Sequence, residues 1–351
     1  MKILVRAPNW IGDAVMAIAA LEAIRRSRPG AEITVLSRPG VAELLRGQPF
    51  VDQVVSFESS GIHAGWAGQK RLIATLREGR FDAAVLLQNA FEAAWIAWRA
   101  GIAQRIGYAR DGRRCLLTQA VAVPAPGEIP RHEVYYYLEL LHRAGWIPRE
   151  RDVPPIRLVL AEGARQRAEE LLRRAGAREN VWRCAIAPGA SYGAAKCWPP
   201  ERFAALADRF ISECDGDVIL FGGPGEADIA QRIASAMKGR AISLVGMTPV
   251  ADLPALLSTC SAFVGNDSGA MHVAAAVGVP VTGIFGPTDH QATVPWSQKF
   301  ELVREPASCS PCFLRKCPVD HRCMTRIGVD SVFLAARGLR GANQSARVRV
   351  N

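Results

Sequence analysis

Val264-Gly265-Asn266-Asp267-Ser268-Gly269-Ala270-Met271-His272-Val273-Ala274-Ala275-Ala276 passes from an apolar run, through a polar turn, into a stretch of small residues. The apolar run reads as a buried strand and the small residues as a helix. A strand whose carboxyl end turns directly into a helix is half of a β-α-β crossover, the unit of parallel sheets. The turn itself has chemical consequences. The first N–H groups of a helix lack partners within it, and the helix dipole is positive there, so the turn suits an anion such as a pyrophosphate. Asp267, Ser268 and Gly269 stand at that turn, and His272 follows in the helix. Capping by Asp267 or Ser268, and a packed core position for His272, remain open to the same residues.

The pattern repeats in both directions along the chain. Downstream, a strand over 280–285 ends in Phe285-Gly286-Pro287-Thr288-Asp289; upstream, apolar runs at 184–187, 217–221 and 241–245 precede the strand at 262–265. An earlier series lies at 2–6, 32–36, 53–57, 83–87 and 105–108, with a helical pattern over 14–26 carrying Val15, Ile18, Ala19 and Leu21. Such alternation predicts an α/β fold with parallel sheets covered by helices on both faces. Because the series restarts, it predicts two doubly wound domains rather than one large sheet. The Arg-Glu-Arg-Asp-Val-Pro-Pro stretch within 149–160 marks the seam. The expected division is 1–158, 159–339, and a disordered tail over 340–351 that lacks apolar periodicity.

Bulk composition narrows the classes. A chain of 351 residues, 49% hydrophobic and 22% charged, has the make-up of a two-domain globular protein. No apolar run approaches the roughly 20 residues needed to span a bilayer, and Arg6 interrupts the short apolar N-terminus, so a cytoplasmic location is expected. The nine cysteines do not form the framework of a small secreted domain. A net charge of +10 calls for acidic partners. Without a zinc finger, an RNP-type strand or a long basic arm, that charge points away from nucleic acid, towards an anionic substrate or membrane surface. The chain also lacks Gly-x-Gly-x-x-Gly after a strand and any Walker sequence, which argues against dinucleotide oxidoreductases and NTPases.

In open parallel sheets, ligands bind beyond the carboxyl ends of the strands. After the first strand comes Ala7-Pro8-Asn9-Trp10-Ile11-Gly12-Asp13. Asp13 at a helix start suits an N-cap, and equally a carboxylate that takes a proton from an attacking hydroxyl. In the second half, Ala187-Pro188-Gly189-Ala190-Ser191 with Lys196 suits a phosphate, and Glu226 after Gly222-Gly223-Pro224-Gly225 suits ribose hydroxyls. Cys309, Cys312, Cys317 and Cys323, with His321 among them, have the number of thiols for a zinc or iron–sulfur site but not the paired spacing of a zinc ribbon. A metal there and reduced loop cysteines are both open.

Three motifs together resemble the heptosyltransferases of glycosyltransferase family nine: Pro8-Asn9-Trp10-Ile11-Gly12-Asp13, Gly265 through His272, and Phe285 through Asp289. The first motif, and Ser310-Pro311-Cys312 through Cys323-Met324, resemble the branch that adds the second heptose. The resemblance runs from Met1 to about residue 339. It implies a GT-B architecture, with two Rossmann-like domains facing a cleft, acceptor on the first and donor on the second. It also implies inverting transfer of heptose from ADP-heptose to the heptose-Kdo-lipid A core of lipopolysaccharide, with no cofactor required and the anionic inner membrane surface as a partner. Asp13 takes the place of the catalytic base, with Asn9, Trp10 and Gly12 at the acceptor. Ser191, Lys196, Glu226, Asp267, Ser268, Gly269 and His272 take the donor side. His290 stands where some relatives carry proline. The alternatives are a family-nine enzyme acting at another core position, and a nucleotide-sugar-binding protein without catalysis.

Overall fold

Parallel strands are covered on both faces, so their residues read as continuous apolar runs. Ile3, Leu4 and Val5 are buried in succession, as are Phe263 and Val264. A computed structural model of the chain describes the backbone of residues 1–347 and the side chains of residues 1–339. It divides into two units, Met1–Pro154 and Pro155 onward, a few residues ahead of the boundary expected at 158.

In the first unit the order is β1 (Lys2–Arg6), α1 (Ile11–Met16), α2 (Ile18–Ser27), β2 (Glu32–Ser37), α3 (Pro39–Leu45), β3 (Gln53–Ser56), α4 (Gly65–Glu78), β4 (Ala83–Leu86), α5 (Phe91–Arg99), β5 (Gln104–Tyr108), β6 (Gln119–Val121) and α6 (Glu133–Arg143). The strands form one parallel sheet in the order β3-β2-β1-β4-β5-β6. The second unit runs α7 (Ala164–Arg174), β7 (Arg183–Ala187), α8 (Pro200–Cys214), β8 (Asp217–Leu220), α9 (Ala227–Ala236), β9 (Ile242–Ser243), α10 (Leu253–Ser258), β10 (Ala262–Asn266), α11 (Gly269–Ala276), β11 (Val281–Phe285), α12 (His290–Thr293), β12 (Phe300–Arg304), α13 (Arg322–Thr325) and α14 (Val329–Arg347). Its sheet order is β12-β11-β10-β7-β8-β9, again all parallel. Counted from each unit's own first strand, both sheets read 3-2-1-4-5-6, the doubly wound Rossmann order. The order reverses between β1 and β4 in one unit and between β7 and β10 in the other, and ligand crevices form at such reversals.

The structure departs from the sequence reading at the edges. Strands β6 and β12 were not expected. Both are edge strands; β6 has three residues, and β12 exposes Glu301 and Arg304. Neither shows the unbroken apolar run of a central strand. The helix expected over 14–26 begins at Ile11 and breaks at Ala17, whose ψ of −10° separates α1 from α2. Trp10 therefore occupies the N-cap, and Asp13 is the third helical residue, not the cap. Disorder was expected from residue 340, but α14 continues to Arg347; residues 348–351 of the expected tail lie outside the described residues. Among the described residues, no helix is long and apolar enough to cross a membrane.

Candidate functional site

In the second unit, two adjacent buried side chains, Asn266 and Asp267, tie three strand ends together. Asn266, the last residue of β10, is fully buried. Its Oδ1 accepts from the Trp198 N–H at 3.0 Å, and its Nδ2 donates to the Pro188 carbonyl at 2.6 Å. This fixes the β7 turn against the start of α11. Lys196, in a 3-10 turn over Ala194–Lys196, donates from Nζ to Asp267 Oδ2 at 2.6 Å. Thr288, beyond β11, donates to the same oxygen at 2.6 Å. An ammonium has three donors, and this pair uses one of them at short range. Asp267 thus anchors the lysine beside the amino end of α11.

Ser268 is the N-cap of α11 and makes no side-chain capping bond; its Oγ is buried without a hydrogen-bond partner. A buried hydroxyl left unpaired costs roughly 1–3 kcal/mol, so this one marks a place where another polar group belongs. Gly269 opens the helix, and His272 is buried within it. The structure therefore brings Lys196, Asp267, Ser268 and Gly269 together, with His272 on the same short helix. The Glu226 carboxylate accepts from the Gly223 N–H at 2.8 Å and lies directly on Gly189. A Cβ at Gly189 would stand 1.9 Å from Glu226 Oε1, so a side chain there would push the carboxylate out of its place. Burial raises the Glu226 pKa, and the Gly223 N–H opposes the rise. Ser191, by contrast, is exposed on the β7 turn.

The cysteine-rich segment braces this site. The Arg315 carbonyl accepts from the Ala195 N–H at 3.0 Å, and the Phe313 carbonyl from the Tyr192 hydroxyl at 2.6 Å. His321 Nε2 lies 2.7 Å from the Ala195 carbonyl. Ser310 donates to the Gly286 carbonyl at 2.5 Å, and the Cys312 N–H to the Pro287 carbonyl at 3.0 Å. Gly193 is an obligatory glycine, since a Cβ there would meet the Arg315 carbonyl at 2.4 Å. The segment thus clamps the lysine turn to the β11 turn that carries Thr288. Cys309, Cys312, Cys317 and Cys323 are free thiols. Among the described residues, no three His, Cys, Asp or Glu side chains are arranged to hold a metal ion. Asp289 caps α12 by accepting from the Gln291 N–H, and His290 lies 3.2 Å from an Arg304 nitrogen.

In the first unit the strand ends carry charge of a different kind. Arg6, the last residue of β1, is buried; it donates to the Ala7 and Leu36 carbonyls and to Asn9 Oδ1 at 2.8 Å. Burial, then Arg38, lowers its pKa to about 10 against the pull of Glu92, which still leaves it charged near neutrality. Arg113, equally buried, donates to the Tyr108 and Gln88 carbonyls and to Asn89 Oδ1. Ser37 Oγ at the end of β2 and Gln88 Oε1 beyond β4 are buried without partners. Trp10 is exposed at the turn after β1.

Asp13 on α1 stands within electrostatic reach of Glu133, the first residue of α6, and of buried Tyr137 one turn later. The Glu133 carboxyl is pushed up to about 7, first by desolvation and then by the Asp13 charge, with Arg110 opposing. A neighbouring negative charge disfavours a second one, so the Asp13 carboxylate adds to burial in holding the Glu133 proton. Sequence reasoning missed Glu133, Asn266, Thr288 and Arg6 as site residues. Arg6 had a signal, a charge closing an apolar strand; Glu133 had none, because only the packing of α6 on α1 brings it there.

The family model described as glycosyltransferase family 9 (heptosyltransferase) matches residues 69–322. Lipopolysaccharide heptosyltransferase 2 of Escherichia coli K12 is 31% identical over 313 residues, 87% of this chain and 88% of that protein. Lipooligosaccharide heptosyltransferase 2 of Haemophilus ducreyi is 30% identical over 314 residues, again 87% and 88%. The solved structure of E. coli ADP-heptose lps heptosyltransferase II superposes with a TM-score of 0.82 at 27% identity, covering 98% of this chain and all of that one. A family 9 glycosyl transferase from Veillonella parvula gives 0.85 at 22% identity, covering 96% of each chain.

Proposed function

The chain belongs to glycosyltransferase family 9, and from that premise we propose that it moves heptose from ADP-heptose onto the heptose-Kdo-lipid A inner core of lipopolysaccharide, adding the second heptose. Its two Rossmann-like sheets have the GT-B architecture of the E. coli enzyme. The reading is carried by one observation above the rest: a buried, unpartnered Ser268 hydroxyl and free helix N–H groups beside Lys196. That set offers several donors and one cation to a diphosphate.

The chemistry divides between the units. Asp13 takes the proton from the acceptor hydroxyl as its oxygen attacks the anomeric carbon of the donor. The bond to ADP breaks, and the electron pair leaves on the β-phosphate. Direct displacement of this kind inverts the anomeric centre. Lys196, Ser268 and the α11 amides stabilise the leaving charge, so the transfer runs without a metal. Glu226 accepts from the ribose hydroxyls, and Asn9, Trp10 and Gly12 border the acceptor. A lipid-linked acceptor puts the enzyme at the cytoplasmic face of the inner membrane, where the basic surplus favours anionic headgroups.

The test is the mass of a heptose-Kdo-lipid A acceptor incubated with enzyme and ADP-heptose. A gain of one heptose is expected. Transfer to a Kdo-only acceptor instead, or no transfer to either, overturns the assignment.

A further inference from the structure

Helix α5 has two apolar faces where a surface helix has one. Ala93, Ala94, Ile96 and Ala97 face the core of the first unit. Phe91 and Trp98 lie on the outer side, with half-buried Trp95 between them at the edge of the core. Phe91 and Trp98 are about half exposed, at 50% and 47%. The neighbouring helix α4 adds Trp66, 78% exposed, and the loop before it adds Ile62 at 59%. These residues form one surface. The Trp66 and Trp95 rings meet edge to face at 6.4 Å, and the Arg99 guanidinium lies 5.9 Å from both the Trp95 and Trp98 rings. Arg77 of α4 donates to the Arg99 carbonyl at 2.8 Å, and Arg71 to the Ile62 carbonyl at 2.5 Å. Aromatic rings left about half exposed or more on adjoining helices mark a surface that meets an apolar neighbour, and among the described residues Phe91, Trp98 and Trp66 stay open on this face.

We propose that the outer face of α4 and α5 seats the enzyme on an anionic lipid bilayer, with its tryptophans at headgroup depth and its arginines and Lys70 on the phosphates. Residue type and charge select this occupant. Tryptophan, with an apolar ring and one N–H donor, is the side chain that collects at membrane–water boundaries. Cations interleave with the rings: Lys70, Arg71, Arg77 and Arg99, against Glu78 and Glu92 on the same two helices. Of those acids, Glu92 acts on buried Arg6 at the strand ends. Long basic side chains lay their stems along apolar surface while their heads reach phosphate. The seat rests on the lipid-linked acceptor of the proposed function, since an enzyme bound to the bilayer meets its acceptor in two dimensions.

The test uses the full chain and vesicles of phosphatidylethanolamine with phosphatidylglycerol, against vesicles of phosphatidylcholine alone. Wild type is expected to co-sediment with the anionic vesicles and to shift its tryptophan emission to the blue. The double variant Trp66→Ser/Trp98→Ser should lower partitioning at least tenfold, and Lys70→Glu by roughly fivefold, with ADP affinity and turnover on a detergent-free, deacylated acceptor unchanged. Equal partitioning of variant and wild type, or no preference for anionic lipid, overturns the proposal. Self-association of the wild type that the double variant abolishes does the same, by assigning the face to a second copy. Vesicle binding without heptose transfer to any acceptor would remove the functional reading and leave the seat standing.

Discussion

The two sheets have the same strand order and gather polar residues at the same edge, yet they treat charge in opposite ways. In the second unit opposites are joined: Lys196 and Thr288 both bond Asp267, and Asn266 locks the turns around them. In the first unit likes are crowded, Asp13 with Glu133 and Arg6 with Arg38. Joined opposites hold a lysine and several N–H donors in fixed places for charge that arrives with a ligand. Crowded carboxyls make a place where a proton is easily taken up. A shared topology therefore decides where chemistry sits, and local burial and pairing decide which chemistry it is.

Five perturbations break or sharpen this contrast, from the largest effect to the smallest. Asp13→Asn is expected to lower turnover by about 10²–10⁴, the usual contribution of a general base, read by steady-state heptose transfer. Lys196→Ala leaves Asp267 buried without its cation, which should destabilise the fold by about 3–5 kcal/mol in urea melts and weaken ADP binding. Asn266→Ala orphans the Trp198 N–H and the Pro188 carbonyl, at a cost of about 3 kcal/mol visible as a lowered midpoint of unfolding.

Glu133 gives a prediction with a definite sign. Its carboxyl is raised from 4.5 to about 7 in the folded chain, so between those values the native state holds a proton that the unfolded state has lost. Stability should fall as pH climbs through that window, by no more than about 3.4 kcal/mol at 1.36 kcal/mol per unit, and level off above it. Glu133→Gln should abolish this part of the slope when midpoints at pH 5 and pH 8 are compared with wild type. Ser268→Ala removes a hydroxyl that has no partner to lose. The apo fold should lose no stability and gain up to about 1–3 kcal/mol, while ADP affinity drops about fivefold, one hydrogen bond's worth.

The sequence was most informative where one kind of signal sufficed. Central strands announced themselves by unbroken apolar runs, and the α11 turn by polar residues between a strand and a helix. Edge strands β6 and β12 escaped because a strand with one neighbour tolerates polar and charged residues. The break at Ala17 left no trace in a helical pattern that continues on both sides of it. Lys196 was visible near a glycine turn, but its partner Asp267 lies 71 residues away, and no spacing rule pairs them. The cysteine cluster drew attention to its thiols, whereas the contacts that matter to the site are made by the backbone around them and by Tyr192, Ser310 and His321.

The division of labour itself is tested by titrating ADP calorimetrically into Asp13→Asn. If proton transfer belongs to the first unit and the diphosphate to the second, the dissociation constant will match wild type while turnover is lost. A tenfold weaker affinity for ADP in that variant would contradict the division and return Asp13 to the donor's own binding site.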